Sequence, residues 1–275
     1  MKQSIHIKDT VFSLETPRVM GILNVTPDSF SDGGKYDSLD KAVIQAEKMQ
    51  SEGADILDIG GYSSRPGADE VSLLQELGRV VPVVRKVARN TDVVISVDTF
   101  RSEVAEAAVE AGAHIVNDIS AGDDDAKMLA TVARLGVPYI AMHKKGLPKT
   151  MQDNPEYGDV VAEVYSYLEA KIKECTAAGI EDVIIDLGYG FGKTLEHNYE
   201  LLKNLSKFEE LGVPILTGVS RKSMIFRALD INASEALNGT TFLHAFALQG
   251  GSNILRVHDV KEAVECVKLW ERVRS

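Results

Sequence analysis

Short apolar runs alternate with amphipathic stretches along the chain. Six of the runs follow a glycine, at 53–61, 112–118, 136–143, 179–186, 212–218 and 251–258, and two more, at 19–24 and 93–98, do not. A glycine suits the left-handed residue that ends a helix. The continuously apolar, β-branched run after it reads as a strand buried on both faces. Eight strands are therefore predicted.

Between the strands the spacing becomes helical. Within 160–175, the residues Val161, Val164, Tyr165, Leu168, Ile172 and Cys175 fall on one stripe, as do Val260, Ala263, Val264, Val267 and Trp270 near the end. Eight strand–helix alternations without a Pro/Gly/Ser-rich linker predict an α/β chain, a (β/α)8 TIM barrel forming a single domain over 1–275. A doubly wound open sheet fits less well, because it has fewer strands and a glycine-rich first turn. Residues 5–12, ahead of the first barrel strand, are expected to form a hairpin closing the barrel bottom. The link between the seventh and eighth strands is longer than the others, and the pattern does not fix its helix boundaries.

In such barrels the reacting groups project from the carboxyl ends of the strands. Those ends read Asn24, Gly60-Gly61, Asp98, Asn117 with Asp118, His143, Asp186, Thr217, and Arg256 with His258. A single Asp or Asn after a strand is more often a helix cap than a site residue. A near-complete ring of amides, carboxylates and cations is not explained that way. Asp98, Asn117 and Asp186 suit a flat heterocycle with a guanidine-like edge, since a carboxylate accepts two parallel N–H bonds. Arg65, Lys222, Arg256 and His258 collect positive charge at the same mouth, which points to a phosphate-bearing substrate. The loop 219–223 is expected to contact the anion. The glycine-rich stretch 188–194 lacks Walker spacing and reads as a strand-to-helix turn.

Composition narrows the partners. The 275 residues carry 30 Lys and Arg against 41 Asp and Glu, a net charge of −11. Nucleic acid and anionic membrane surfaces would repel such a chain on average, whereas a small anion in a locally cationic cleft would not be repelled. No run approaches the ~18 apolar residues of a membrane span, and the first nine residues lack a secretory apolar stretch. Cys175 and Cys266 sit at apolar helical positions and read as reduced core thiols, so a cytoplasmic chain is expected. Asp123-Asp124-Asp125 reads as solvated or capping acids. His6, His114, His197 and His244 receive no chemistry, and His143 reads either as a site residue or as an anchor for the loop after it. Gly239, inside a helical stretch, is expected to permit close packing against the barrel or a partner subunit.

Several segments, in order and spanning nearly the whole chain, resemble the dihydropteroate synthase family. They are 20–34, 60–68, 96–99, 117–119, Met142-His143 with 146–152, 186–193, 220–223 and 256–260. The resemblance implies a barrel enzyme of folate biosynthesis, the class of sulfonamide target. It joins 4-aminobenzoate to (7,8-dihydropterin-6-yl)methyl diphosphate with Mg²⁺, giving 7,8-dihydropteroate and diphosphate. It further implies that Asp98, Asn117, Asp186, Lys222 and Arg256 hold the pterin, Arg256 stacking on its face. Asn24, Ser64, Arg65, Arg256 and His258 would hold the diphosphate, Asn24 touching the metal. Phe30, Ser64, Arg65, Pro66, Lys222 and Ser223 would border 4-aminobenzoate, with catalysis resting on Asp98, Lys222 and Arg256. Loops 26–34 and 62–67 would close over the site, and a homodimer is implied.

Three positions depart from the family's usual pattern: Tyr62 for Glu, Ser64 for Thr and Leu187 for Pro. None removes a group with an implied chemical role. A pterin-dependent methyltransferase would not need Ser64-Arg65-Pro66 or Ser220-Arg221-Lys222, and a non-catalytic pterin-binding relative would be expected to have lost the phosphate-binding cations.

Overall fold

The computed structural model describes residues 2–25, 35–62, 71–146, 151 and 154–274. Two short strands, β1 (Ser4–Ile7) and β2 (Thr10–Ser13), pair as an antiparallel hairpin. The next eight, β3 (Arg18–Asn24), β4 (Ile56–Gly60), β5 (Val94–Asp98), β6 (Ile115–Asp118), β7 (Tyr139–Met142), β8 (Val183–Asp186), β9 (Ile215–Thr217) and β10 (Ile254–Val257), close a parallel barrel with β10 beside β3. All eight predicted strands are present.

Around the barrel run α1 (Lys35–Ser51), α2 (Leu73–Asn90), α3 (Ser102–Ala111), α4 (Met128–Leu135), α5 (Val160–Ala178), α6 (Leu195–Lys203), α7 (Ser223–Leu229), α8 (Leu237–Gln249) and α9 (Val260–Arg274). Their limits follow local chemistry. Ser72 and Thr194 build capping boxes at the starts of α2 and α6, and Gly179 closes α5 with φ 94°. The long seventh link holds both α7 and α8. Where a Cβ would stand on Gly239, Ile225 Cγ2 of α7 lies 2.5 Å away, so the close approach at this glycine is to the preceding helix and not to the barrel strands or a second subunit.

Strand alternation splits the apolar side chains into two cores. One set faces the helices. The other set fills the barrel: Met20, Ile56, Ile115, Ile140, Ile184, Leu216 and Ile254 pack on Ile5, Ile7 and Leu14 of the hairpin segment. The hairpin thus closes the barrel bottom, as the sequence predicts. Each fully buried side chain of this size contributes about 1.5–3 kcal/mol.

The acidic triplet is used in pairing and capping. Asp123 takes Lys171 at 2.6 Å, Asp124 takes Lys144 at 2.5 Å, and Asp125 accepts the Ser102 backbone N–H at 2.7 Å. Cys175 and Cys266 are buried free thiols.

His244 lies inside α8, 1% exposed, and neither ring nitrogen has a hydrogen-bond partner. Burial holds its pKa down to about 4, with the Asp259 charge opposing. The unfolded chain therefore takes up this proton first as pH falls from about 6.5 toward 4, and stability declines by about 1.4 kcal/mol per pH unit within that window. His244→Leu is expected to flatten that part of the acid dependence without loss of stability at pH 7. Urea denaturation midpoints of both proteins between pH 4 and 7 check this.

Candidate active site

Barrel register brings the rim residues together. Asn24 is level with Gly60, Gly60 with Asp98, and Asp98 with Asn117, across four neighbouring strands. One step lower, Ile22, Asp58, Ser96 and Ile115 form the next row. Alternation separates Asn117 from its neighbour. Asp118 accepts N–H bonds from Ser120 and Gly122 and hydroxyl bonds from Ser120 and Tyr139, so it braces the turn after β6 and lies outside the ring.

Arg256 ties the mouth to the barrel interior. Its Nε donates to Asp58 Oδ2 and its Nη2 to Asp98 Oδ2, both at 2.6 Å. Asn117 Nδ2 donates to the same Asp58 oxygen at 3.0 Å, and the Tyr62 phenol donates to Asp98 Oδ1 at 3.2 Å. Burial works against the Arg256 charge, but Asp58 and Asp98 outweigh it and hold the guanidinium above its ordinary pKa. Burial lifts Asp98 above the usual carboxylate range, with Arg256 pulling the other way.

The opposite wall is built on Asp186 and Lys222. Gly188 N–H donates to Asp186 Oδ1 at 2.8 Å. Lys222 Nζ donates to the Tyr189 carbonyl at 2.5 Å and stands 4.8 Å from the Phe191 ring centroid. Loss of water lowers the Lys222 ammonium to about 8, while Asp186 opposes the change. Burial raises Asp186, countered first by Lys222. A Cβ on Gly218 would lie 3.7 Å from Lys222 Nζ, 3.9 Å from Asp186 Oδ2 and 3.9 Å from Arg256 Cβ. The three side chains therefore converge on one hollow above that glycine.

Other expected members stand apart. His143 is buried, stacks edge-on with Tyr167, and meets Lys193 Nζ through Nδ1 at 2.9 Å. Burial, then the Lys193 charge, holds its pKa near 2, so the neutral ring anchors the turn after β8. Thr217 is fully buried. Arg221, within the loop expected to meet the anion, pairs with Asp259 through two 2.8 Å bonds and caps the Ala233 and Ser234 carbonyls. It braces the link between α7 and α8 instead. His258 is exposed, its backbone N–H donating to Ser220 Oγ at 3.1 Å, and Ser223 opens α7. Phe30, Ser64, Arg65 and Pro66 lie outside the described residues.

Three contributors were not among the expected site residues. Asp58 is the first; its signal was a carboxylate in the middle of Ile56–Gly60, sharing the inward parity of Gly60. Lys193 is the second. Its ammonium, 3% exposed, donates to the carbonyls of Gly188 at 2.9 Å and Phe191 at 3.1 Å. Glu76 is the third. It takes the Thr99 hydroxyl at 2.6 Å and pairs with Arg101, clamping the turn after Asp98.

Comparison with known proteins shows the family of the chain. A family model described as pterin binding enzyme matches residues 20–258. The Haemophilus influenzae dihydropteroate synthase is 46% identical over 269 residues, covering 97% of this chain and 98% of that one. The Yersinia pestis dihydropteroate synthase, solved with a sulfonamide drug, superposes with TM-score 0.93 at 44% identity, covering 98% of this chain and 99% of that one. The Xanthomonas albilineans dihydropteroate synthase, solved with 4-aminobenzoic acid, gives TM-score 0.93 at 42% identity, covering 100% and 99%.

Gly188 carries the latch on Asp186. It has φ +67°, and an added Cβ would stand 1.9 Å from the His143 carbonyl oxygen. Gly188→Ala is expected to cost about 2–4 kcal/mol through overpacking and strain, and to release Asp186 from its backbone donor. Thermal denaturation of the variant beside wild type measures the first effect, and pterin binding measures the second.

Proposed function

Since this chain belongs to the dihydropteroate synthase family of pterin-binding enzymes, we propose that it joins (7,8-dihydropterin-6-yl)methyl diphosphate to 4-aminobenzoate, releasing diphosphate and 7,8-dihydropteroate. The observation that carries this proposal is the convergence of Asp186, Lys222 and Arg256 over Gly218, in the same mouth as Asp98 and Asn117.

Asp186 accepts two parallel N–H bonds from the amide edge of the pterin, and Asn117 both donates and accepts. Arg256 covers the ring face and reaches the phosphate. Lys222 lies between the two substrates, and Ser223 borders 4-aminobenzoate together with Phe30, Ser64, Arg65 and Pro66. Asn24, Ser64, Arg65, Arg256 and His258 hold the diphosphate. The donor set suits Mg²⁺ brought in with that group. Asn24 offers a neutral oxygen, and among the described residues no group of three His, Cys, Asp or Glu could hold a metal by itself. When bound, the ion stabilises negative charge on the leaving diphosphate.

The amine of 4-aminobenzoate is a weak nucleophile, because its lone pair is delocalised into the ring. The charge layout favours prior departure of diphosphate. The bond from the pterin methylene to oxygen breaks, and both electrons leave with the diphosphate. Asp98 faces the resulting cation, and the amine lone pair then forms the new C–N bond. The nitrogen becomes acidic once bonded and gives up its proton without a strong base. Loss of one leaving-group contact costs about 3–4 kcal/mol of barrier.

We place the enzyme in the cytoplasm as a homodimer. Among the described residues no helix is long and apolar enough to cross a membrane. Leu229 of α7, Phe242 and Phe246 of α8, and Leu269 of α9 leave an exposed apolar face suited to a second copy.

Asp186→Ala is expected to weaken pterin-diphosphate binding by roughly 10⁴-fold with the fold intact, because the buried site loses its partner for the N–H pair. Titration calorimetry and circular dichroism read the two effects. Near-normal affinity would displace the pterin from this mouth. With dissociative chemistry, the single-turnover rate of diphosphate release should stay nearly constant across substituted 4-aminobenzoates of falling nucleophilicity. A parallel fall in rate would reject that order.

A further inference from the structure

Tyr62 lies just beyond β4 and reaches sideways onto Asp98, the residue at the end of the neighbouring strand. Its hydroxyl donates to Oδ1 at 3.2 Å, while Arg256 Nη2 occupies Oδ2 at 2.6 Å. The carboxylate is therefore held by both oxygens, from two different strands' ends. The Tyr62 ring is itself braced, meeting Phe100 edge-on at a 90° interplanar angle with centroids 5.1 Å apart. Its backbone neighbour is also tied: the Gly61 carbonyl accepts Arg79 Nη1 at 3.0 Å, and Gly61 itself packs too closely on Val80 for any side chain.

A carboxylate that must stabilise a cation works when it is ionised and oriented before the charge develops. Asp98 faces conflicting neighbours. Asp58 and Glu76 place negative charge near it, while Arg256 and Lys222 place positive charge, and Tyr62 supplies a neutral donor. Burial, reinforced by Asp98 itself, keeps the phenol protonated far above its ordinary range, so it donates at every working pH. The resembling family usually carries Glu at this position. An ionised acid there would add a third negative charge beside Asp98, whereas the phenol adds an O–H donor.

We propose that Tyr62 is a positioning residue for the reaction: its hydroxyl fixes the orientation of the Asp98 carboxylate and favours its ionised form, so that the charge is ready for the pterin methylene cation. This rests on the proposed role of Asp98 toward that cation. A bond to the charged form lowers a carboxyl pKa, and its removal raises it. Activity that needs ionised Asp98 disappears as pH falls through that pKa, so loss of the phenol moves the acidic limb upward.

Tyr62→Phe keeps the ring and its contact with Phe100 and removes only the donor. The acidic limb of kcat/KM for the pterin diphosphate is expected to move up by about 0.4–1 pH unit. Turnover at pH 7 should fall several-fold, with KM for 4-aminobenzoate little changed. The ¹³C carboxyl resonance of Asp98, followed by NMR through a pH titration of both proteins, reads the same shift without turnover. It therefore separates failure of this proposal from failure of the proposed chemistry. Phe100→Leu, which loosens the brace, should shift the resonance in the same direction by less. In an Asp98→Asn background, whose amide oxygen still accepts the phenol but cannot ionise, Tyr62→Phe should leave the acidic limb unchanged, because the titrating group it acts through is gone. An unshifted Asp98 titration in Tyr62→Phe, or full additivity with Asp98→Asn, would overturn the proposal.

Discussion

The Arg256 guanidinium, held between Asp58 and Asp98, is the tie on which one whole side of the open end of the barrel depends. Asp58 is fully buried, and one of its oxygens has no partner in the structure. Such a carboxylate is tolerable only because Arg256 and Asn117 share its other oxygen. The pair therefore links β10, β4 and β6 through side chains, while β5 joins through Asp98. Removing Arg256 would strand Asp58 inside the protein, which is costlier than losing an exposed ion pair, whereas Arg256 would keep Asp98 if Asp58 were lost.

This arrangement also assigns separate tasks to two sides of the mouth. The Arg256 side is a network of charges paired with one another. On the Asp186 side, the carboxylate has a backbone donor on one oxygen, and Lys222 is directed at a carbonyl and an aromatic ring. Backbone carbonyls in turn fix Lys193 beneath that side, so the turn after β8 is fastened from below before any substrate arrives. Electrostatic preorganisation of this kind avoids reorganisation during the reaction.

Most of the architecture was legible in the residues, because a buried parallel strand has a plain signature. The eight runs, the hairpin segment and the amphipathic α5 stripe all follow from apolar spacing. So does the rim set that alternation turns inward, including Asn24, Asp98, Asn117 and Asp186. What escaped depends on distances between segments far apart in the chain. Lys193 pairs with His143 across 50 positions, and Arg256 with Asp58 across 198. Nothing local distinguishes Arg221, which braces the α7–α8 link, from Lys222, which faces the mouth. Asp118 was misleading because its parity is opposite to that of Asn117, one residue before it.

The hairpin at the barrel's floor has a kinetic consequence. With Ile5, Ile7 and Leu14 stoppering that end beneath an interior already filled with side chains, a ligand at the rim arrives from the opposite side, and whatever lies deepest must arrive before anything lodges above it. With the seating proposed above, a pterin over Gly218 would be first in and its aryl partner second. Departure would run in reverse, the joined product drawing its bicyclic head out last.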